Sequence, residues 1–499
     1  MFTVPPIVLH ALEWMATLFV ILVGLGLLTL VGMYFYDKHQ TVNSIRRNYP
    51  VVGRFRSFFS HLGEFFRQYF FAMDREELPF NRAQRNWAEH ASRNRDITSA
   101  FGSTKNLNIE GTVMFANGMF PPLEDEIEEP AAIVYGPYAR QPYETRSFFN
   151  ISAMSYGALS RPAVRALSKG AAMAGIWLNT GEGGLAPWHT EGGCDVVFQI
   201  GTAKYGCRDA DGRLDDAKLK VITDNPVVKM VELKLSQGAK PGKGGILPAA
   251  KVTDEIAGIR HIPAGQDSIS PNRHPEIDSL ADLLDMIGHI REVSGLPTGF
   301  KAVVGAAGWL DEFCQLVLAR GPESAPDFIT IDGGDGGTGA APLPLMDEMG
   351  LPLRESLPMV IDKLDQYGLR PRIRVICSGK RVTPADVAWA LAMGADSVNA
   401  ARGFMFALGC IQAMRCNKNT CPTGITTHDK RLQRGLDPED KAVRVMHYAQ
   451  NMAHEVCMIA HSCGLAEPRL LRRHHARVVS ANGLSLPLDV LHPPVTRDA

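Results

Sequence analysis

An α/β fold built as a (β/α)8 TIM barrel, preceded by one transmembrane helix, is what the sequence predicts, and three observations predict it. Eight short stretches of strand character recur between residues 149 and 400, with amphipathic helical patterns between several of them. That alternation is expected of parallel strands joined by crossover helices. Small-residue or glycine-rich loops follow the last three of these strands, where a barrel of this type gathers its chemistry and often a phosphate. Near the N-terminus, residues 14–36 form an uncharged, largely apolar run of 23 residues. At helical rise it spans a bilayer core of about 30 Å.

The apolar run defines an N-terminal anchor, residues 1–40. No Lys or Arg precedes it and Glu13 is the nearest charge before it, whereas a cleaved signal peptide has a basic n-region and a shorter apolar core. Lys38, Arg46, Arg47, Arg54 and Arg56 follow it. The positive-inside rule then places the bulk of the chain in the cytoplasm, as a single-pass protein of the inner (cytoplasmic) membrane. The plainer reading, a buried core helix, fits poorly with so long an apolar run at a terminus.

Residues 41–149 form a juxtamembrane and lead-in region. Arg54-Phe55-Arg56-Ser57-Phe58-Phe59 and Phe65-Phe66-Arg67-Gln68-Tyr69-Phe70-Phe71 interleave aromatic and basic residues. Such a stretch fits a helix lying in the membrane interface, arginines toward anionic headgroups; it equally fits a helix packed on the barrel. Pro121-Pro122 and the acidic run 124–129 read as a solvated loop. A formal net charge of −1 argues against nucleic acid as the main partner. Nine cysteines, odd in number and not spaced as a small disulfide framework, point to a reducing compartment.

The barrel is expected over residues 150–465. Its strands are read at 149–154, 177–180, 196–202, 230–235, 298–304, 328–331, 373–377 and 397–400, with helices at 162–174, 279–293, 310–318 and 384–393. Residues 238–278 form a long excursion between strands four and five with almost no strand signal, and loops of that length are usually functional or disordered. The tail, residues 466–499, is rich in Arg, His and Pro and is expected to lie over the surface.

Three loops carry the phosphate signal: Gly333-Gly334-Asp335-Gly336-Gly337-Thr338 after strand six, Ser378-Gly379 after seven, and Ala401-Arg402-Gly403 after eight. Glycine lets backbone N–H groups approach phosphate oxygens. One such loop is often only a turn; three at the expected strand ends point to a phosphate-bearing cofactor. No strand–GxGxxG–helix unit or Walker sequence is present, so neither a dinucleotide nor ATP is indicated. On strand four, Glu232, Lys234 and Ser236 alternate with Val231, Leu233 and Leu235, which puts the three polar groups on one face. Past strand eight, Cys410, Cys416 and Cys421 follow a C-x5-C-x4-C spacing, the last before Pro422. Thiolates suit zinc, copper(I) or iron–sulfur clusters. A closed zinc site would want a fourth Cys or His nearby, so three thiolates fit a three-iron cluster better. Three unrelated buried thiols are the plainer account.

Together with Gly181-Glu182-Gly183-Gly184, Gln237-Gly238-Ala239-Lys240-Pro241-Gly242 and Thr330-Ile331-Asp332 leading into the glycine loop, these motifs resemble the flavin-containing synthase domain of the glutamate synthases over residues 150–465. The resemblance implies FMN, with Met154 and Ser155 along its ring, Lys234 and Lys301 near its N1 side, and Gly336, Gly337, Gly379 and Arg402 toward its phosphate. It assigns a 3Fe-4S cluster to Cys410, Cys416 and Cys421, and substrate carboxylates to Lys240 and Arg260. Glu182 matches a loop that senses the glutaminase domain in that family. Ser270-Pro271 and His274 fall in a substrate-side loop, where a lone histidine is more often structural. Lys243 and Ile246 depart from a family glutamate and glutamine, which bears on the identity of the acid. Residues for a glutamine-hydrolysing domain and a C-terminal β-helix are not in the chain, so ammonia is not expected from glutamine here.

The activity so implied is hydride transfer between reduced FMN and an imino acid such as 2-iminoglutarate, formed from 2-oxoglutarate and ammonia. Electrons would come from a donor such as ferredoxin or a reductase subunit. The alternatives are a different amino, imino or hydroxy acid with the same cofactors, a membrane electron-transfer module without an organic substrate, and a cofactor-free scaffold, against which the cysteines and three loops argue.

Overall fold

The computed structural model describes residues 5–40 and 44–495; the first four residues of the expected anchor, residues 41–43 of the lead-in and the last four of the tail lie outside them. The chain divides into two compact units, Met1–Ala83 and Gln84–Ala499.

The first unit is helical. α1 (Pro6–His39) is 34 residues long, extends beyond the apolar run at both ends, and is long and apolar enough to cross a membrane. Pro5 and Pro6 open it and its first turn lacks an acid. Asp37 is buried near its C-terminal end, where its carboxylate accepts hydrogen bonds from Arg54 Nε (2.8 Å), Arg54 Nη2 (2.7 Å) and Val51 N (3.0 Å). Arg54 belongs to α2 (Gly53–Phe66), which continues into a π-helical turn over Arg67–Phe71.

The second unit contains the barrel. Its strands are β1 (Phe149–Ile151), β2 (Leu178–Asn179), β3 (Val196–Ile200), β4 (Val228–Lys234), β5 (Thr298–Ala302), β6 (Phe328–Asp332), β7 (Arg374–Ser378) and β8 (Ser397–Ala400). All eight fall where the sequence pattern puts them. They pair in parallel in chain order and close, β8 against β1. Register brings Lys234 of β4 level with Lys301 of β5, and aligns Asp332, Ser378, Asn399 and Asn150 across β6, β7, β8 and β1. Lys234, Lys301, Asp332, Ser378 and Asn399 thus bring polar groups to the C-terminal rim, while Asn150 is engaged by Trp177 N and Ser147 Oγ.

The opposite end is plugged. A hairpin of Ile133–Tyr135 and Tyr143–Thr145 brings Tyr135 and Tyr143 into an apolar cluster with Trp177, Val197, Met230, Phe328 and Ile376. The Tyr135 ring meets Trp177 and Phe328 edge-on, at 5.8 and 5.9 Å, and its hydroxyl donates to Ser397 Oγ at 2.9 Å. These residues lie at or near the strand starts, so the site is left at the other end. The tail does more than lie over the surface: Ala476–Val479 pairs antiparallel with Val113–Phe115 of the lead-in and with Ser485–Pro487.

Close packing of the outer helices sets one prediction. α3 (Arg161–Ala174) starts at the Ser160 N-cap and stops at Gly175 in the left-handed region (φ 65°). A Cβ on its Gly170 would sit 2.5 Å from Val445 Cβ and 2.6 Å from the Ala442 carbonyl oxygen. Both belong to the 25-residue helix Pro438–Ser462. Gly170→Leu should therefore lower unfolding stability by about 1–3 kcal/mol, the usual cost of overpacking, read as an earlier denaturation midpoint with the barrel chemistry otherwise intact.

Candidate active site

The polar rim opens into one cavity. Met154, Ser155, Glu182, Lys234, Lys240, Arg260, Lys301, Gly337, Gly379, Arg402 and Cys416 all line it. Expected residues from seven of the eight strand ends are thus brought together. Gly336 does not line it; its Cα instead lies 3.1 Å from where a Cβ on Gly238 would sit, so it packs the loop. Cys410 and Cys421 are outside the lining as well.

One side of the cavity is charged. Two lysines, level on adjacent strands and nearly fully buried, would be costly unless paired. Lys234 Nζ lies 2.8 Å from Glu182 Oε1, and Lys301 Nζ lies 3.9 Å from Asp332 Oδ2. Asp332 also accepts hydrogen bonds from Ser378 Oγ (2.5 Å) and Gly238 N (2.8 Å). Glu182 reaches its place because its neighbours lack side chains: a Cβ on Gly201 or Gly245 would come within 2.7 Å of its carboxylate oxygens. Burial by itself would raise the Glu182 carboxyl, but Lys234, with Lys240 and Arg260 beyond it, outweighs that and brings it down to about 2. Burial, then Lys234, lowers the Lys240 ammonium to about 8.

Arg260 ends the short helix Asp254–Arg260 inside the long excursion. Its guanidinium donates to Ser268 Oγ (3.1 Å) and the Tyr156 carbonyl (3.4 Å) and stacks over Tyr205 at 4.9 Å, while its buried Nε has no partner. A two-stranded sheet of Ile246–Leu247 with Ser268–Ile269 frames this part of the excursion, structure that the sequence pattern did not signal. Ile246 faces the cavity, whereas Lys243 is exposed and outside its lining. Of the two family departures, Ile246 is the one that touches the site. Ser270 lines the cavity. His274 is buried, its Nε2 bonded to the Lys234 carbonyl at 2.9 Å and its pKa pushed by burial down to about 4; it is a neutral structural group that steadies β4.

The other side of the cavity suits a phosphate-bearing ring system. Gly337, Ser378, Gly379, Lys380, Arg381 and Arg402 line it. Gly379 has φ +129°, strained for any L side chain, and a Cβ on Gly337 would lie 3.2 Å from Arg402 Nε. Arg402 Nη2 donates to the Thr338 carbonyl at 2.6 Å, which ties the loops after β6 and β8. Asn399, nearly buried on β8, lines the same cavity and its Oδ1 has no partner. A buried amide acceptor seldom stays unpaired, so this atom is open to an N–H donor of a bound group. The residues present fit FMN.

Beneath the rim, Glu232 is 1 % exposed and accepts from Asn179 Nδ2 (2.9 Å), Gln199 Nε2 (2.6 Å) and Thr330 Oγ1 (2.6 Å). Gln199 itself reaches the cavity. The alternation on strand four put Glu232 and Lys234 on one shared face; Gln199 and Asn399 were missed, and the only signal that could have found them is a polar residue within an apolar strand.

The cysteine loop sits alongside. Gln412, Met414 and Asn419 have φ of 56°, 50° and 55°, so the backbone winds tightly between the thiols. Gln412 N donates to Cys410 Sγ at 3.5 Å, and Cys421 Sγ lies 3.4 Å from Thr423 Oγ1. The nearly buried Lys251 donates to the carbonyls of Cys416 (2.9 Å) and Ala158 (3.3 Å), a link no sequence signal announced. Burial lowers its ammonium to about 8, partly opposed by Cys416 and Cys421. Burial, with Cys416 and Cys421 nearby, pushes the Cys410 thiol up, yet among the described residues no three His, Cys, Asp or Glu side chains gather into a group able to hold a metal.

Comparison with known proteins agrees with this geometry. Residues 119–466 match the family model described as "conserved region in glutamate synthase". The glutamate synthase large subunit-like protein YerD of Bacillus subtilis (strain 168) is 36 % identical over 509 residues, covering 94 % of this chain and 96 % of that one. An archaeal-type glutamate synthase (NADPH) of Thermotoga sp. (strain RQ2) is 34 % identical over 321 residues, 64 % of this chain and 60 % of that protein. A glutamate synthase large subunit-like protein of Rhizobium meliloti (strain 1021) is 30 % identical over 343 residues, 66 % of this chain and 74 % of that one.

Proposed function

Because the chain belongs to the glutamate synthase family, we propose that it is an oxidoreductase using FMN and an iron–sulfur cluster to convert 2-iminoglutarate, formed from 2-oxoglutarate and ammonia, into glutamate. The observation that carries this reading is the cavity itself, with buried cations beside Glu182 and Asp332 on one side and a glycine–arginine cradle on the other. FMN, when bound, supplies hydride transfer to and from carbon.

The protein's own residues do the rest. Gly337, Gly379 and Arg402 would hold the phosphate, and Lys234 and Lys301 would set a positive field at the ring. Lys240 and Arg260 hold carboxylates, Arg260 through a planar fork suited to bidentate pairing. Glu182, ionised over the physiological range, accepts a hydrogen bond from an ammonium or iminium N–H and so orients the nitrogen. The cation count fits a dicarboxylate. Ile246, apolar and facing the cavity, favours the second reading, another amino, imino or hydroxy acid.

Cys410, Cys416 and Cys421 are the proposed ligands of a 3Fe-4S cluster, supported by their spacing and the N–H···S contact at Cys410. Such a cluster supplies one-electron transfer, and a ferredoxin-like donor or a reductase subunit is the proposed source. α1 is the proposed single span of the cytoplasmic membrane, with the basic residues after it on the cytoplasmic side.

The test is anaerobic: photoreduced enzyme mixed with 2-oxoglutarate and ammonium should reoxidise its flavin and yield glutamate, and full inertness to both would sink the assignment. A pH dependence should accompany it. Lys240 is a cation below about 8 and neutral above, so 2-oxoglutarate should bind more weakly as pH rises through that value. Loss of one charge-assisted hydrogen bond, about 1.5–3 kcal/mol, weakens the measured Kd roughly tenfold or more. Lys240→Met should bind weakly at every pH and flatten the curve.

A further inference from the structure

We propose that α2 and the π-turn after it form a second membrane contact, an aromatic face that lies in the headgroup layer of an anionic bilayer beside the foot of α1. The proposal rests on reading α1 as a span.

On α2, Phe55, Phe58, Phe59, Leu62 and Phe66 recur at i, i+3, i+4, i+7 and i+11, which is one face of a helix. Phe55, Phe58 and Phe59 are 54–61 % exposed, and Tyr69, Phe70 and Phe71 on the π-turn are 45–74 % exposed. Phe59 stacks on Phe55 at 6.2 Å and meets Phe58 at 5.4 Å, while Phe66 lies 5.2 Å from Phe70. The rings thus form two clusters, one on the helix and one across its junction with the turn. Exposed apolar surface of this kind marks a protein or membrane contact.

Two observations choose the bilayer. The first is position. The apolar run of α1 ends at Tyr36, so Asp37 sits where the hydrocarbon gives way to headgroups. Arg54 is clamped to Asp37 by two hydrogen bonds and Val51 N by a third, which fixes the start of α2 at that level. The second is charge. From residue 37 to 73 the sequence carries Lys38, Arg46, Arg47, Arg54, Arg56 and Arg67 against Asp37 and Glu64, and with Arg54 paired to Asp37 five basic residues stand against Glu64. A basic, aromatic-faced helix at the interface is attracted by acidic lipid and buried by its rings.

The probe is full-length F59W protein in vesicles of phosphatidylcholine with about 30 mol % phosphatidylglycerol, their acyl chains brominated. The emission that F59W adds over wild type should be quenched about two- to fivefold relative to unbrominated vesicles, and less in phosphatidylcholine alone. F70W gives an independent reading should F59W misfold. Trp14, isolated as the difference between wild type and W14F, reports the span separately. Quenching of Trp14 with neither F59W nor F70W quenched overturns the proposal while leaving the span, and would mean that the face is covered by protein. Absence of quenching at Trp14 refutes the span reading. Equal quenching with and without phosphatidylglycerol overturns the preference for anionic lipid.

Discussion

Gly337→Asp should give a folded barrel that no longer retains FMN. The Cβ it adds would lie 3.2 Å from Arg402 Nε, so the new carboxylate would claim that guanidinium and present negative charge to a phosphate. Two unit charges about 4 Å apart in a partly buried site repel by about 4 kcal/mol, which is roughly a thousandfold in Kd. Titration of apo-protein with FMN, beside circular dichroism to confirm folding, checks it. Gly337→Ala adds the methyl without the charge and should bind within about tenfold of wild type, since one modest steric adjustment costs about 1 kcal/mol. Wild-type affinity in Gly337→Asp would place the phosphate elsewhere.

Cys416→Ser should empty the proposed cluster and leave FMN bound. Cys416 lines the cavity, and with Cys410 and Cys421 it makes up the whole C-x5-C-x4-C set. Were it merely a half-buried thiol, exchange for a hydroxyl would cost about 1–3 kcal/mol and leave cofactors in place. As one of three ligands, its loss should remove iron and acid-labile sulfide, abolish the cluster EPR signal, and stop reduction of FMN by one-electron donors. The comparison is made on anaerobically purified wild type and variant. Zinc, or no metal, in wild-type protein with full flavin would refute the cluster.

The local chemistry of the chain determined the eight strands, the four helices read between them and the membrane-length α1. Strand and helix periods are written within a few residues of sequence, and parallel closure follows from their alternation. The rim loops were legible for the same reason, since glycine marks backbone that must turn or approach closely whatever lies opposite. The alternation on β4 put Glu232 and Lys234 on one face, and closure of the barrel turned that face inward.

What the tertiary structure decided is which of these residues meet. Glu182 neutralises Lys234 across two strand ends, and only the meeting of Gly201 and Gly245 around it makes room for its carboxylate. Lys251 ties the cysteine loop to the loop after β1, and Val113–Phe115 finds its partner strand more than 350 residues later. Ile246, not Lys243, proved to face the cavity. Periodicity carries no information about partners this distant, because burial of a charge or pairing of an edge strand is fixed by closure of the barrel and not by neighbours in sequence.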